Sequence, residues 1–422
     1  MDVTEQPPVR AGLGSATVAL PARVPMAGYG ARTAPSSGVL RPPEVNVMAA
    51  AYGDRLILLV TLDAIAIDRG FVHQVRQDVA TYGVDADHVL VAASHTHSGP
   101  AGLRVGGAEQ AVKTDPVVVR GYLDATCRAV DAAFAALAPA QVSVRSGHVE
   151  GVAADRNDPL RPVDATATVL RFADPRETTI GYLWHFACHP TVLGADNTLV
   201  SPDLPGDVRA ALRQGGDDLP VLYLNGTAGD VSTRFTRREQ TPRELTRLAG
   251  LVTRAWTGPW RPVRLAPPLV RRDLVELPAA AGDPEAARSR LAATTSTLAD
   301  VSGGPRRRVL ETEIQGLRRR LSRSSSGELA EPLLAEAHTI VLGDLALAAL
   351  PGEPVTAVGR AVRAASRYPV TLPVGYAGDY IGYLTTADMT TGYEAEAALT
   401  APGAAEFAAA ALIDGLHALE ER

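Results

Sequence analysis

Unbroken apolar runs alternate with amphipathic runs along most of this chain, and that alternation limits the folds open to it. DRLILLVTLDAIAI, from Asp54, reads as a buried strand that enters a loop at Asp63. FVHQVRQDVATYG follows with helical spacing and a stop at Gly83, and VLVAASHTHSGPAG, from Val89, is a second buried strand. Asp115 to Leu137 has the pattern of a long amphipathic helix with Pro116 in its first turn. The same grammar recurs in ATATVLRF and TIGYLWHFACHP (strands), PDLPGDVRAALRQ (helix) and VLYLNGTAGD (strand into a glycine turn). It returns in HTIVLGDLALAALPGE, where Gly343-Asp344 suits a tight hairpin turn, then in the helix PVTAVGRAVRAAS and the strand PVTLPVGYAG. An alanine-rich helix starts near Ala404. The expected fold class is α/β, with mixed β-sheets flanked by helices.

Between Pro278 and Glu336 the texture changes. AARSRLAATTSTLADV and RRVLETEIQGLRRRLSR read as two helices joined by SGGPR and followed by SRSSSGE, a helical hairpin inserted in a single domain spanning 1–422. Its runs Arg306–Arg308 and Arg318–Arg320 are expected on a solvated face. With 46% hydrophobic and 21% charged residues the chain can bury a large core. A formal net charge of −6 gives no general attraction to nucleic acid or anionic lipid. Lys113 is the sole lysine, a bias expected of a GC-rich bacterial genome. Cys127 and Cys188 are expected as buried free thiols, since one disulfide would not staple a chain of this length. The start lacks the pattern of a secretory signal and no run is long enough to span a membrane, so a cytoplasmic protein is expected.

Chemistry concentrates where apolar strands end. ASHTHSGP places His95 and His97 two apart, hence on one face of an extended chain. In WHFACHPT, His185 and His189 would lie about 13 Å apart at strand rise, too far for one metal ion. His189, at the end of the run, is the better ligand, and His185 fits the core or a supporting position. LALAALPGEP puts Glu353 between a strand and a helix, and GDYIGYLTT sets Tyr380 and Tyr383 around Gly382.

In order, SHTHSGPAG, FACHPT, NGTAGDVS, LPGEP and YIGYLTT…GYE resemble the catalytic domain of the neutral/alkaline, non-lysosomal ceramidase family, zinc-dependent amidases acting on N-acyl sphingosine. The resemblance runs from about Met26 to about Glu396. It implies His95, His189, Glu353 and Tyr383 as ligands of Zn²⁺, with His97 beside them serving the substrate or the metal-bound water. It also implies Arg156, in ADRNDP, near the scissile amide, and Tyr393 as an oxyanion donor.

Within this pattern, NGTAGD is read as placing Gly226 where the family carries a catalytic serine; either Thr227 next to it takes over, or the site works through zinc-bound water alone, or the substrate is not ceramide. Asp230 is expected to orient the turn. The implied function is hydrolysis of an amide in a small N-acyl amine or lipid-like substrate, by attack of zinc-bound water on the carbonyl. Acyl transfer or amide formation on a small amine, and a non-catalytic ligand- or metal-binding relative, stand as alternatives. No nucleic acid partner and no integral membrane segment are expected.

Overall fold

The computed structural model describes residues 9–103, 114–213, 219–280, 283–326 and 331–421. Three sheets carry the architecture. The first is built from β1 (Arg10–Thr17), β2 (Glu44–Tyr52), β3 (Arg55–Leu62), β4 (Val89–Ala93) and β5 (Ala138–Pro139), in the order β4-β3-β2-β1-β5. The second is built from β6 (Gln141–His148), β7 (Thr166–Ala173), β8 (Thr179–Phe186), β9 (Val221–Asn225) and β10 (Arg261–Val263), in the order β9-β8-β7-β6-β10. The third is built from β11 (Leu269–Leu277), β12 (Leu333–Leu342), β13 (Leu345–Ala349) and β14 (Val370–Val374), in chain order.

Side-chain alternation explains why the sheets stack. Along β3, Ile57 and Leu59 point into a central core shared with Leu170, Leu183 and Leu222 of the second sheet and Ile340, Leu347 and Leu372 of the third. Leu58, Val60 and Leu62 point the other way, to α1 (Arg69–Val79) and α2 (Pro116–Ala135). The helix α1 buries Phe71, Val72, Val75 and Val79, a spacing of one helical face, and Asp68 caps it through Phe71 N. Against β1, α2 lies so close that a Cβ on Gly12 or Gly14 would sit 2.0 or 2.1 Å from a helix carbonyl oxygen. On the second sheet lie α3 (Leu204–Leu212) and α4 (Pro242–Ala255). The third sheet is covered by α7 (Thr356–Ala365) and α9 (Ala404–Glu420).

Each sheet contains one parallel pair: β3 with β4, β8 with β9, and β13 with β14. Parallel neighbours need a crossover, supplied here by α1, α3 and α7 respectively. Loops leaving the carboxyl ends of these strands carry the histidines, the glutamate and the tyrosines singled out above.

The helices α5 (Pro284–Ala299) and α6 (Gly304–Ser326) form a hairpin that contacts the short α8 (Tyr393–Ala397). The chain enters it from β11 and leaves it into β12, which pair antiparallel with Leu277 opposite Leu333. SRSSSGE, expected as the hairpin's exit, is helical as far as Ser326; residues 327 and 328 of this exit lie outside the described residues. Cys188 is a buried free thiol, but Cys127 is free and exposed, because its place on α2 faces away from the sheet. Among the described residues no helix is long and apolar enough to cross a membrane.

Candidate active site

The floor of the site is assembled by hydrogen bonds between loops. Ala93 N donates to Tyr376 O, Gly378 N to Val91 O, and Gly375 N to Asn225 O, so the ends of β4, β9 and β14 are tied together. Buried Asn225 completes the tie: its amide nitrogen donates to Ser94 O and Cys188 O, and its oxygen accepts from Cys188 N. The sequence reading did not single out Asn225. Its signal was a polar residue ending an apolar strand.

His95 and His97 meet, but not for the reason the spacing suggested. β4 stops at Ala93, and His95 takes a left-handed backbone conformation with φ 66°. A turn, not a strand pleat, brings the two rings to a centroid distance of 4.9 Å. Such a conformation is strained for a residue with a Cβ and is tolerated where the surroundings fix it. Here His95 N donates to Ala64 O, and its ring stacks on Tyr376, itself at φ 59°.

Each imidazole is anchored by Nδ1 to a backbone carbonyl: His95 to Ile65 O at 2.7 Å, His97 to Gly28 O at 2.9 Å, and His189 to Ala228 O at 2.7 Å. With Nδ1 as the donor, every Nε2 presents a lone pair. These nitrogens converge, all three within 4.8 Å of one another, with His95 and His97 3.2 Å apart. Glu353 Oε2 lies 2.9 Å from His189 Nε2 and 3.4 Å from His95 Nε2, buried and without a hydrogen-bond donor among the described residues. Four acceptors facing one another repel unless a cation lies among them. The separations of 2.9, 3.2 and 3.4 Å are close to the edge of a tetrahedron with about 2.0–2.1 Å metal–ligand bonds. The donor set therefore fits a divalent metal ion, and the buried group His95, His97 and His189 could bind one. Burial pushes Glu353 up, yet His95 and His189 bring it well below the usual carboxylate range. Burial and then Arg156 push His189 down to about 4.

Glu353 and Tyr383 are brought together by register, since Glu353–Pro354 pairs parallel with Tyr383–Leu384 and Glu353 stands opposite Tyr383. Tyr383 lines the cavity, its ring 5.2 Å from the Arg156 guanidinium carbon. Tyr380, noticed in the sequence without a role, donates its hydroxyl to Glu353 Oε1. Asp230 sits behind this pair, accepting from both Thr356 N and Thr356 Oγ1 at the start of α7, so it fixes the helix that follows Glu353.

Arg156 lies beside His189, with Nη1 3.3 Å from His189 Nε2, and its Nε donates to buried Glu394. Its Nη2 is buried with no partner among the described residues. Glu394, which also accepts from Asn157 Nδ2 at 2.8 Å, escaped the sequence reading although it neighbours Tyr393. Tyr393 packs its ring 5.1 Å from the Arg156 guanidinium carbon, and its hydroxyl accepts from Arg319 of α6. His185 stays apart from the cluster, bonded to Pro373 O and Arg363.

Two expectations are corrected. Thr227 is not among the described residues lining the cavity: a Cβ on Gly359 would lie 2.3 Å from its Oγ1, so the hydroxyl is turned to α7. Gly226 packs against Ala187 and His185, where any side chain would collide. The hydroxyl of this loop that does line the cavity belongs to Ser232, bridged to the backbone of His189. Second, the hairpin arginines are not simply solvated: Arg307, Arg308 and Arg319 line a cavity of about 1250 Å³ together with His95, His97 and Glu353.

An α/β scaffold whose strand ends converge on buried imidazoles and a carboxylate is a class in which loops build a metal-assisted site. Comparison with known proteins gives the family. Residues 10–214 match the family described as neutral/alkaline non-lysosomal ceramidase, N-terminal. This N-terminal region, just under half of the chain, is thus similar to the neutral/alkaline ceramidase family. It is 30% identical over 170 residues to the neutral ceramidase of Mycobacterium tuberculosis, covering 36% of this chain and 26% of that protein. It is 29% identical over 232 residues to the neutral ceramidase of Pseudomonas aeruginosa, covering 47% of this chain and 32% of that protein. The matched regions thus span about a quarter to a third of these relatives. The crystal structure of the Pseudomonas aeruginosa neutral ceramidase superposes with a TM-score of 0.78 at 21% identity, over 98% of this chain and 75% of that one. A ceramidase complexed with C2 gives the same TM-score at 20% identity, over 98% and 76%. The fold is shared across the catalogue of sheets described above.

Proposed function

We propose that this cavity hydrolyses the amide bond of an N-acyl amine, with Zn²⁺ held by His95, His189, Glu353 and Tyr383 and with His97 at its side. The observation that carries the reading is the convergence of carbonyl-anchored imidazoles on a buried carboxylate beside a partnerless guanidinium N–H. A bound zinc ion supplies Lewis acidity and lowers the pKa of water. The chain's own groups do the rest. Arg156 Nη2 is free to donate to the amide oxygen as charge develops on it, and Glu394 holds the guanidinium in place. Tyr393 stands next to Arg156 as a phenolic donor, and Ser232 offers a hydroxyl from the loop beside His189. His97, fixed through Gly28 O, presents Nε2 to accept or return a proton.

Elemental analysis of the purified protein beside its His189→Ala variant, paired with an assay on N-acyl amines, tests this. One zinc per chain and amide hydrolysis, both lost in the variant, is the expected result. A protein that takes up no zinc sinks the mechanism.

A further inference from the structure

The outer wall of the cavity differs in charge from its floor. It carries Arg234, Arg237, Arg307 and Arg308, faced by Glu311 and Asp196. Arg307 is occupied with Glu311 and with Leu298 O and Val301 O at the hairpin's turn. Arg308 must share Glu311, at 3.3 Å. Arg237 donates to neutral acceptors only, Thr191 O at 2.9 Å and Thr233 Oγ1 at 3.3 Å. Arg234 donates to Arg156 O at 2.8 Å, and neither Arg234 nor Arg237 has a salt bridge among the described residues.

These groups come from two separate segments, the loop after Ser232 and helix α6, yet they stand in one another's field. Burial and then Arg156, opposed by Glu394 and with Arg308 and Arg237 adding, push Arg234 down to about 9. Partly buried like charges that outnumber their counterions are costly, and a wall on which one sign of charge prevails concentrates the opposite sign. A neutral two-chain amide gives these guanidiniums no charge to pair with. Planar guanidinium forks match carboxylate, sulfonate and phosphate oxygens.

We propose that the amide cleaved here carries an oxyanion that seats among Arg234, Arg237 and Arg308. This rests on the amide-hydrolase reading above.

The test compares kcat/KM for octanoyl amides sharing one short amine skeleton: neutral N-octanoylethanolamine, N-octanoyl-β-alanine, N-octanoyltaurine and N-octanoylethanolamine phosphate. One anionic member should exceed the neutral one by about tenfold or more, and its identity tells carboxylate from sulfonate from phosphate. Arg308 is partly exposed, so Arg308→Gln should fold, and the anion-to-neutral ratio should drop about tenfold in it. Arg234→Lys keeps the charge but removes the planar fork and should lower the same ratio. A neutral amide cleaved as well as every anionic one overturns the proposal, as does a ratio that ignores both substitutions. Should no amide be cleaved, the functional reading fails, and calorimetry with octanesulfonate, which has no amide bond, decides the anion seat separately. Binding weakened about tenfold in Arg308→Gln upholds the seat; no binding, or binding indifferent to the substitution, overturns it.

Discussion

The cavity's floor and its hairpin wall face each other but are held in different ways. On the floor, the imidazoles and the central amide are tied to backbone: three imidazoles to carbonyls, and Asn225 to loops from two strands. The hairpin instead docks through charge. Arg290 of α5 and Arg320 of α6 both reach Glu396, which is fully buried in α8, and Arg323 donates to Glu396 O and Ala398 O. Backbone ties are short, neutral and insensitive to salt, whereas ion pairs at a partly wet interface weaken as salt rises. The floor is thus built to fix geometry, and the wall to be attached to it.

The largest expected effect comes from striking the floor. His189→Ala should abolish metal uptake and lower hydrolysis by about a thousandfold or more, measured by elemental analysis and initial rates. His97→Ala separates two roles: metal retained with activity lost places His97 beside the ion, while metal lost makes it a ligand. Asn225→Ala should be next, destabilising the fold by about 2–4 kcal/mol because it leaves buried backbone groups at Ser94 and Cys188 unpaired; chemical denaturation reads this, and a cost below 1 kcal/mol would show the loops hold without it.

Gly359→Ala follows, at about 1–3 kcal/mol from its collision with Thr227 Oγ1. Thr227→Ala in the same chain should recover most of that loss while catalysis in Thr227→Ala alone stays within about twofold. A collapse of activity in that single variant would return Thr227 to the reaction. Smallest is the salt effect on the wall: hydrogen exchange in α5 and α6 should quicken between low and high salt while β4 and β8 stay protected, and equal responses would erase the distinction drawn here.

Acidification probes the frame around both regions. Burial holds His338 at about 4 and, with Arg363 adding, His185 at about 4, both below their unfolded value. Below about pH 6.5 the unfolded chain takes up protons that the native state refuses, so stability present above that pH falls as pH drops toward 4. Asp203 and Asp230, held up to about 6 by burial, oppose this over the same range. His338→Gln should therefore flatten the acid side of the stability profile in denaturation series; an unchanged slope would show that His338 is not titrating.

The elements most legible in sequence were those with a local signature. The helix at α1 was readable from Phe71, Val72, Val75 and Val79 and from its glycine stop, and the turn at Gly343-Asp344 from its dipeptide. The division into three sheets was not readable, because β3 and β8 look alike as apolar runs and their sheet membership is settled by pairing partners far away in sequence. At the site, residue identities at strand ends were visible while orientations were not. Thr227 and Ser232 are both hydroxyls in one glycine turn, and only the packing of Gly359 decides which of them meets the cavity. The hairpin arginines failed for a related reason. Charge runs are usually solvated, and nothing local reports that Tyr393 and Glu396 wait opposite them.

Leu277 and Leu333 stand opposite each other across β11 and β12, so the whole excursion of α5 and α6 begins and ends at one rung of a ladder. Its removal, lengthening or replacement leaves the strand register below that rung intact. A lineage that inherits this scaffold can therefore exchange the cassette above the rung and retune what the enclosure admits, provided that the replacement again meets Tyr393 and Glu396.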